Sequence, residues 1–171
     1  MKILLLVLMM LCLVGCSEPT FETIADVPMV VETAKMQQII LNLPSEAAEP
    51  VMQDENAGNV YECNGYYLTV QTLDSGDLNK TFQTLTGLQP DDLQIISSEI
   101  NGIRRYDCVF ATTGEDGLQV GRVCVLDDGN YHYAVSTFAP EESAGQVKDD
   151  WQDLYSTFRL TDADWDINTG S

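Results

Sequence analysis

His132 is the only histidine in the chain, so any Cys–His or Ser–His nucleophilic pair must use it. Besides Cys12 and Cys16 near the N-terminus, the thiols are Cys63, Cys108 and Cys124. One imidazole and no closely spaced cysteine pair leave no ligand set for tetrahedral zinc. Asp162, Asp164, Asp166 and Asn168 alternate as a calcium loop does at its start. The glycine that such a loop needs at its sixth position is replaced by Ile167, and no twelfth-position Glu follows. Residues 162–171 therefore read as an acidic, flexible, solvated tail. No glycine-rich phosphate loop and no nucleophile elbow occurs. Carboxylates are so frequent that no pair stands out. The residues point to no catalytic site, no metal and no cofactor.

Charge narrows the partners. The sequence holds 27 Asp+Glu against 8 Lys+Arg, a formal net charge of -19. Such a surface repels nucleic-acid phosphates and anionic lipid headgroups, so nucleic acid is excluded as a partner. The same charge would attract cationic partners or Ca²⁺, or serve solubility alone. Apolar residues make up 44% of the chain, with seven Tyr, five Phe and two Trp. That is core material for one ordinary domain rather than a disordered segment.

The first residues carry an address. Lys2 precedes an unbroken apolar run from Ile3 to Val14, too short to span a membrane and of the length of a signal-peptide core. The run ends Leu13-Val14-Gly15-Cys16, which resembles the lipobox of bacterial lipoproteins. That resemblance implies transfer of diacylglycerol to the Cys16 thiol, cleavage before it, and stable anchoring of the mature protein in a membrane, facing outside the cytoplasm. The expected organisation is a signal peptide over residues 1–15, a short tether over 16–26, a single α+β domain over 27–161 and the tail over 162–171.

Turn chemistry divides the domain. Asn64-Gly65, Asn101-Gly102, Glu115-Asp116-Gly117 and Asp128-Gly129 tolerate the positive φ of tight hairpin turns. Flanking β-branched and aromatic residues predict a hairpin from residues 60–63 and 66–72. They also predict a four-strand meander from 94–100, 103–113, 118–127 and 130–138. Residues 37–43 read as an earlier strand stopped by Pro44, and 44–58 as a loop or short helix; 21–35 stay ambiguous. A helix over 74–87 has Ser75 or Asp74 as its cap and Gly87 as its stop. A second over 141–158 follows Pro140 and recurs apolar at Val147, Trp151, Leu154, Tyr155 and Phe158.

Loop lengths set the pairing. Asn101-Gly102 as a two-residue loop places Glu99 opposite Arg104 and Ile95 opposite Cys108. Residues 115–117 as a three-residue loop place Cys108 opposite Cys124 and Val109 opposite Val123. Asp128-Gly129 as a two-residue loop places Cys124 opposite Tyr133 and Val125 opposite His132. Cys108 and Cys124 then share a face with Tyr106, Phe110, Tyr133 and Val135, and His132 points the other way. Outside the cytoplasm that juxtaposition permits a Cys108–Cys124 disulfide. The alternative is that Cys63, Cys108 and Cys124 are small buried hydrophobes. Tyr61, Tyr66, Tyr67, Tyr106, Tyr131 and Tyr133 would line a ligand groove or fill the space between sheet and helices. Both faces are apolar at the centre, so both need cover. The predicted architecture is an α/β/α sandwich, an antiparallel sheet with helices on both faces.

That layout, closed by Trp151-Gln-Asp-Leu-Tyr-Ser-Thr-Phe158-Arg-Leu, is similar to the Mog1/PsbP-like fold over residues 37–160. The resemblance implies a non-catalytic binding or accessory role by protein–protein or ligand contact, with an unknown envelope protein as partner. The alternative is an envelope hydrolase using carboxylates that the sequence does not single out. A deep pocket holding a carboxylate pair would favour the hydrolase, and a flat apolar patch near a sheet edge the binding module. For the anchor, Cys16→Ser should leave the precursor unprocessed or release the protein from the membrane. Intact-mass measurement of the wild type should find acyl chains on an N-terminal Cys, and an unmodified mature chain would overturn the assignment.

Overall fold

The computed structural model describes residues 34–54, 58–114 and 117–161. The proposed signal peptide, Cys16, the tether, residues 27–33 and the tail lie outside the described residues. The described strands are β1 (Gln38–Ile40), β2 (Met52–Asp54), β3 (Gly58–Cys63), β4 (Tyr66–Asp74), β5 (Ile95–Ile100), β6 (Ile103–Gly114), β7 (Gly117–Asp127), β8 (Tyr131–Pro140) and β9 (Arg159–Thr161). The helices are α1 (Leu78–Thr86) and α2 (Ala144–Thr157). Among the described residues, seven strands form one antiparallel sheet in the order β2-β3-β4-β8-β7-β6-β5. β1 pairs instead with β9 in a separate two-stranded ribbon, a pairing that the apolar run of 37–43 alone does not announce.

The predicted elements are present with shifted ends. α1 starts later than expected: Asp77, rather than Ser75 or Asp74, is the cap, its carboxylate accepting from the Asn79 N–H at 3.0 Å. Gly87 closes the helix in the left-handed conformation at φ 73°, as its expected stop role requires. A helix of nine residues is marginal in water, so α1 is held by its buried Phe82 and Leu85. Residues 44–58, expected as a loop or short helix, include the edge strand β2.

Two turns count differently from the expectation. Gly114 pairs with Gly117, so Gly117 is the first residue of β7 and not the last of the loop. That single step flips β6 relative to β7. Cys108 lies opposite Val123, and Cys124 opposite Asp107. The turn after β7 is also wider than a two-residue loop, because Asp127 pairs with His132. The Asp128 carboxylate accepts from the N–H groups of Asn130 and Tyr131, each at 2.8 Å, and holds the chain in the wider turn. Cys124 is thus opposite Val135 rather than Tyr133. The shift is two residues, so Tyr133 still shares the face of Cys124.

Both faces are covered as the alternation demands. One buries Leu68, Cys124, Leu126, Tyr133 and Val135 against Val147, Trp151, Leu154, Tyr155 and Phe158. The other buries Cys108, Phe110, Val123, Val125 and Ala134 against Phe82 and Leu85. The result is the predicted α/β/α sandwich with α1 and α2 on opposite faces.

Trp151 and Phe158 lie buried in the first of these clusters. Truncating a buried large aromatic to Ala costs about 3–5 kcal/mol, a large part of the roughly 5–15 kcal/mol that a domain has. Trp151→Ala and Phe158→Ala should therefore lower the melting midpoint sharply, whereas Asp149→Ala on the exposed side of α2 should not. A Trp151→Ala variant melting like wild type would show that α2 is not docked.

Candidate functional site

His132 does not serve a site. It is buried on the α1 face, its Nδ1 2.8 Å from Thr81 Oγ1 and its Nε2 3.9 Å from Asp127 Oδ2. Asp127 accepts from the Gly129 N–H at 2.7 Å and pairs with Arg104 at 2.8 Å. Thr, His and Asp stand in line, but the imidazole is 1% exposed and no substrate can reach it. The array ties α1 to β7 and β8. His132 points away from Cys124, as expected, yet shares its face with Cys108, contrary to expectation.

The cysteine pair is corrected by the register. Cys108 and Cys124 lie on opposite faces of the sheet, and Cys63, Cys108 and Cys124 are free and buried. Burial raises all three thiols, Cys124 to about 12. At neutral pH they are protonated and poor nucleophiles. The tyrosines divide likewise. Tyr61, Tyr66 and Tyr133 are core residues, while Tyr67 is exposed. The hydroxyl of Tyr133 donates to Asp128 at 2.9 Å and accepts from the Gln37 N–H at 2.8 Å.

The flipped register creates a charged seam. On the α2 face, Asp107 accepts from Arg105 Nε at 2.7 Å and from Arg122 at 3.1 Å. Arg105 also donates to the Tyr155 carbonyl at 3.2 Å. The Arg122 guanidinium lies 4.2 Å from the Tyr155 ring centre, and the Tyr155 hydroxyl donates back to the Arg122 carbonyl. Burial pushes the Asp107 carboxyl up, but Arg105 and Arg122 outweigh it and hold the group below its ordinary value. A carboxylate gripped by two guanidinium groups is no proton donor at neutral pH.

Beyond the seam α2 no longer covers the sheet. Ile96, Ile100, Val109 and Leu118 project from the same face and are 73%, 65%, 67% and 43% exposed. Ile96 lies opposite Asp107 and Val109 is its diagonal neighbour, so these two form a small open apolar spot beside the charged seam, while Ile100 and Leu118 project further along the same face in opposite directions. Sequence reasoning missed it through the turn after β6. A three-residue loop at 115–117 puts Val109 opposite Val123 on a covered surface, whereas in the structure Val109 lies opposite Arg122 on the open one. The available signal was the pair of glycines, Gly114 and Gly117, that brackets residues 115–116.

The remaining hollows are shallow. One of about 420 Å³ is lined by Ile39, Leu41, Tyr61 and Val70, and one of about 400 Å³ by Val60, Thr69, Leu85 and Phe138. A third, also about 420 Å³, carries Asp150 and Asp153, but both are exposed on α2. Open to solvent on α2, they form no water-excluded pair. Among the described residues no group of His, Cys, Asp and Glu could hold a metal, and no helix is long and apolar enough to cross a membrane.

The sequence matches no family model and no curated protein. The fold has solved counterparts. LpqN, involved in cell envelope biogenesis of Mycobacterium tuberculosis, superposes with a TM-score of 0.52 at 11% identity, over 74% of this chain and 84% of that one. The cyanobacterial PsbP of Synechocystis gives a TM-score of 0.49 at 11% identity, over 75% of this chain and 95% of that one. At such identity the likeness is one of fold, and the fold is shared with LpqN.

The buried histidine sets a pH dependence. Burial pushes His132 below its ordinary value, Asp127 pulls it up and Arg104 pushes it down again. The unfolded chain takes up this proton near about pH 6.5, while the folded chain resists it. Stability is then complete above about pH 6.5 and falls as pH drops below it. The melting midpoint should be level between about pH 8 and about pH 7 and decline below about pH 6.5. His132 is the only histidine, so His132→Gln should remove this decline. A further fall at stronger acidity, where Asp107 must be protonated, should remain. An unchanged slope in His132→Gln would refute the account.

Proposed function

We propose that this chain is a membrane-anchored, extracytoplasmic binding or accessory module without catalytic activity, acting by protein–protein contact through the open apolar face of β5, β6 and β7. The observation that carries this reading is the adjacent pair Ile96 and Val109, left uncovered beside the Asp107–Arg122 seam on a face where Ile100 and Leu118 are exposed as well. An apolar centre with a polar border is the anatomy of a contact surface. The hydrolase reading finds no reachable, water-excluded carboxylate pair among the described residues: Asp107 is locked between arginines, Asp127 is buried against Arg104 and His132, and Asp150 and Asp153 are exposed on α2. The Leu13-Val14-Gly15-Cys16 motif supports a lipid anchor on Cys16 and a place outside the cytoplasm. The part that LpqN takes in cell envelope biogenesis is compatible with that place.

Affinity capture from detergent-solubilised envelope tests the reading. Val109→Glu and Ile96→Glu should abolish capture of a partner that the wild type retains, with melting behaviour preserved. Tyr67→Glu, on the opposite face, should retain it. Equal capture by all variants would overturn the contact reading.

A further inference from the structure

β5 is the end strand of the sheet, and among the described residues nothing pairs with its outer side. Exposed edges are commonly blunted by Lys, Pro, a bulge or a covering segment. The strand Ile95-Ile-Ser-Ser-Glu-Ile100 carries no Lys, Arg or Pro, and its pairing to β6 runs from Ile95 to Ile100 without interruption. Its turn tells which backbone groups are free. Asn101 and Gly102 have φ of 54° and 78°, the type I′ pattern, whose closing residues Ile100 and Ile103 are hydrogen-bonded. In an antiparallel ladder such pairs alternate with non-bonded ones. Ile100, Ser98 and Ile96 therefore turn their N–H and C=O groups toward β6. Ile95, Ser97 and Glu99 turn theirs outward.

Resting on the contact reading above, we infer that this edge takes up an extended segment of another protein as an added strand, and that the segment is apolar at its centre and flanked by Lys or Arg. The outward groups of Ile95, Ser97 and Glu99 supply the main-chain bonds. On the α2 face the added strand lies beside Ile96 and Ile100, which are 73% and 65% exposed, so its side chains there are apolar. The charge at the ends comes from the chain itself. Asp91 and Asp92 stand exposed just before β5, and Glu99 is exposed near its end. The whole sequence has 27 acidic against 8 basic residues, which speeds the approach of a cationic segment. A second copy is the poorer occupant, because two molecules of this charge repel and an antiparallel pair would turn Glu99 toward the other copy's Asp91 and Asp92.

The test uses the full chain and two synthetic peptides, each with an alternating Val-Thr centre, one flanked by lysines and one by glutamates. The lysine-flanked peptide should bind and slow amide hydrogen exchange at Ile95, Ser97 and Glu99 by about tenfold or more. Ser97→Pro removes an outward N–H and leaves the ladder to β6 intact, so it should weaken binding by about tenfold. Strand addition is overturned if the lysine-flanked peptide does not bind, if the glutamate-flanked peptide binds equally, or if the protected amides lie elsewhere. It is overturned too if sedimentation shows the chain pairing with itself through β5. Protection in the wild type decides the matter even if Ser97→Pro fails to fold. If Val109→Glu abolishes envelope capture while Ser97→Pro does not, the contact reading stands and strand addition falls. If neither variant affects capture, both fall.

Discussion

Asp107 lies between the guanidinium groups of Arg105 and Arg122, and the division of the α2 face depends on this arrangement. Both arginines also engage Tyr155: one donates to its carbonyl and the other stacks over its ring. The C-terminal turn of α2 is thereby pinned to β6 and β7. On one side of the seam lie Leu126, Tyr133, Val135 and the buried stripe of the helix. On the other side, among the described residues, no helix remains to cover Val109, Ile96 and Leu118. Charges this close to a core need partners, because removing one would leave the others desolvated and unpaired. The seam is thus a boundary that resists movement in either direction.

This boundary exists only in one register. Had β6 and β7 paired one residue differently, Asp107 and Arg105 would face α1, and Cys108 would lie among the residues beneath α2. Much of the fold follows from features that a reader of the sequence can weigh. Asn101-Gly102 gives a hairpin of known length, Gly87 a helix stop, and Trp151, Leu154 and Phe158 a helical stripe. The turn between β6 and β7 is different, because a glycine at its end suits both a loop and a strand. Gly117 has φ of 112° yet pairs with Gly114. A one-residue ambiguity there changes the face of every side chain in β6 and with it the candidate site. The turn after β7 shows the opposite case. Its error of two residues leaves every face unchanged, so Tyr133 and Cys124 are found together.

The separate ribbon of β1 and β9 was not legible for another reason. Arg159–Thr161 is three residues long, and nothing in so short a segment marks it as a strand. It forms because Gln38–Ile40 lies beside it. Tertiary context decides such short pairings, and the same holds for β2 against β3.

The two sides of the sandwich use the same alternation to different ends. α1 and α2 bury the centre of the sheet, and Ile95 of β5 packs into the α1-face cluster, but on the α2 face Ile96 and Val109 stay uncovered. Completing the cover with another helix would have hidden Ile96 and Val109, and the fold would have gained apolar burial worth roughly 25 cal/mol per Å². Leaving that area open raises the risk of self-association through an unprotected edge. Net charge is the counterweight. With 27 acidic residues against 8 basic ones, copies repel at long range, whereas contact with a cationic segment is assisted. The acidic surface thus opposes the self-association that exposed Ile96 and Val109 would otherwise favour.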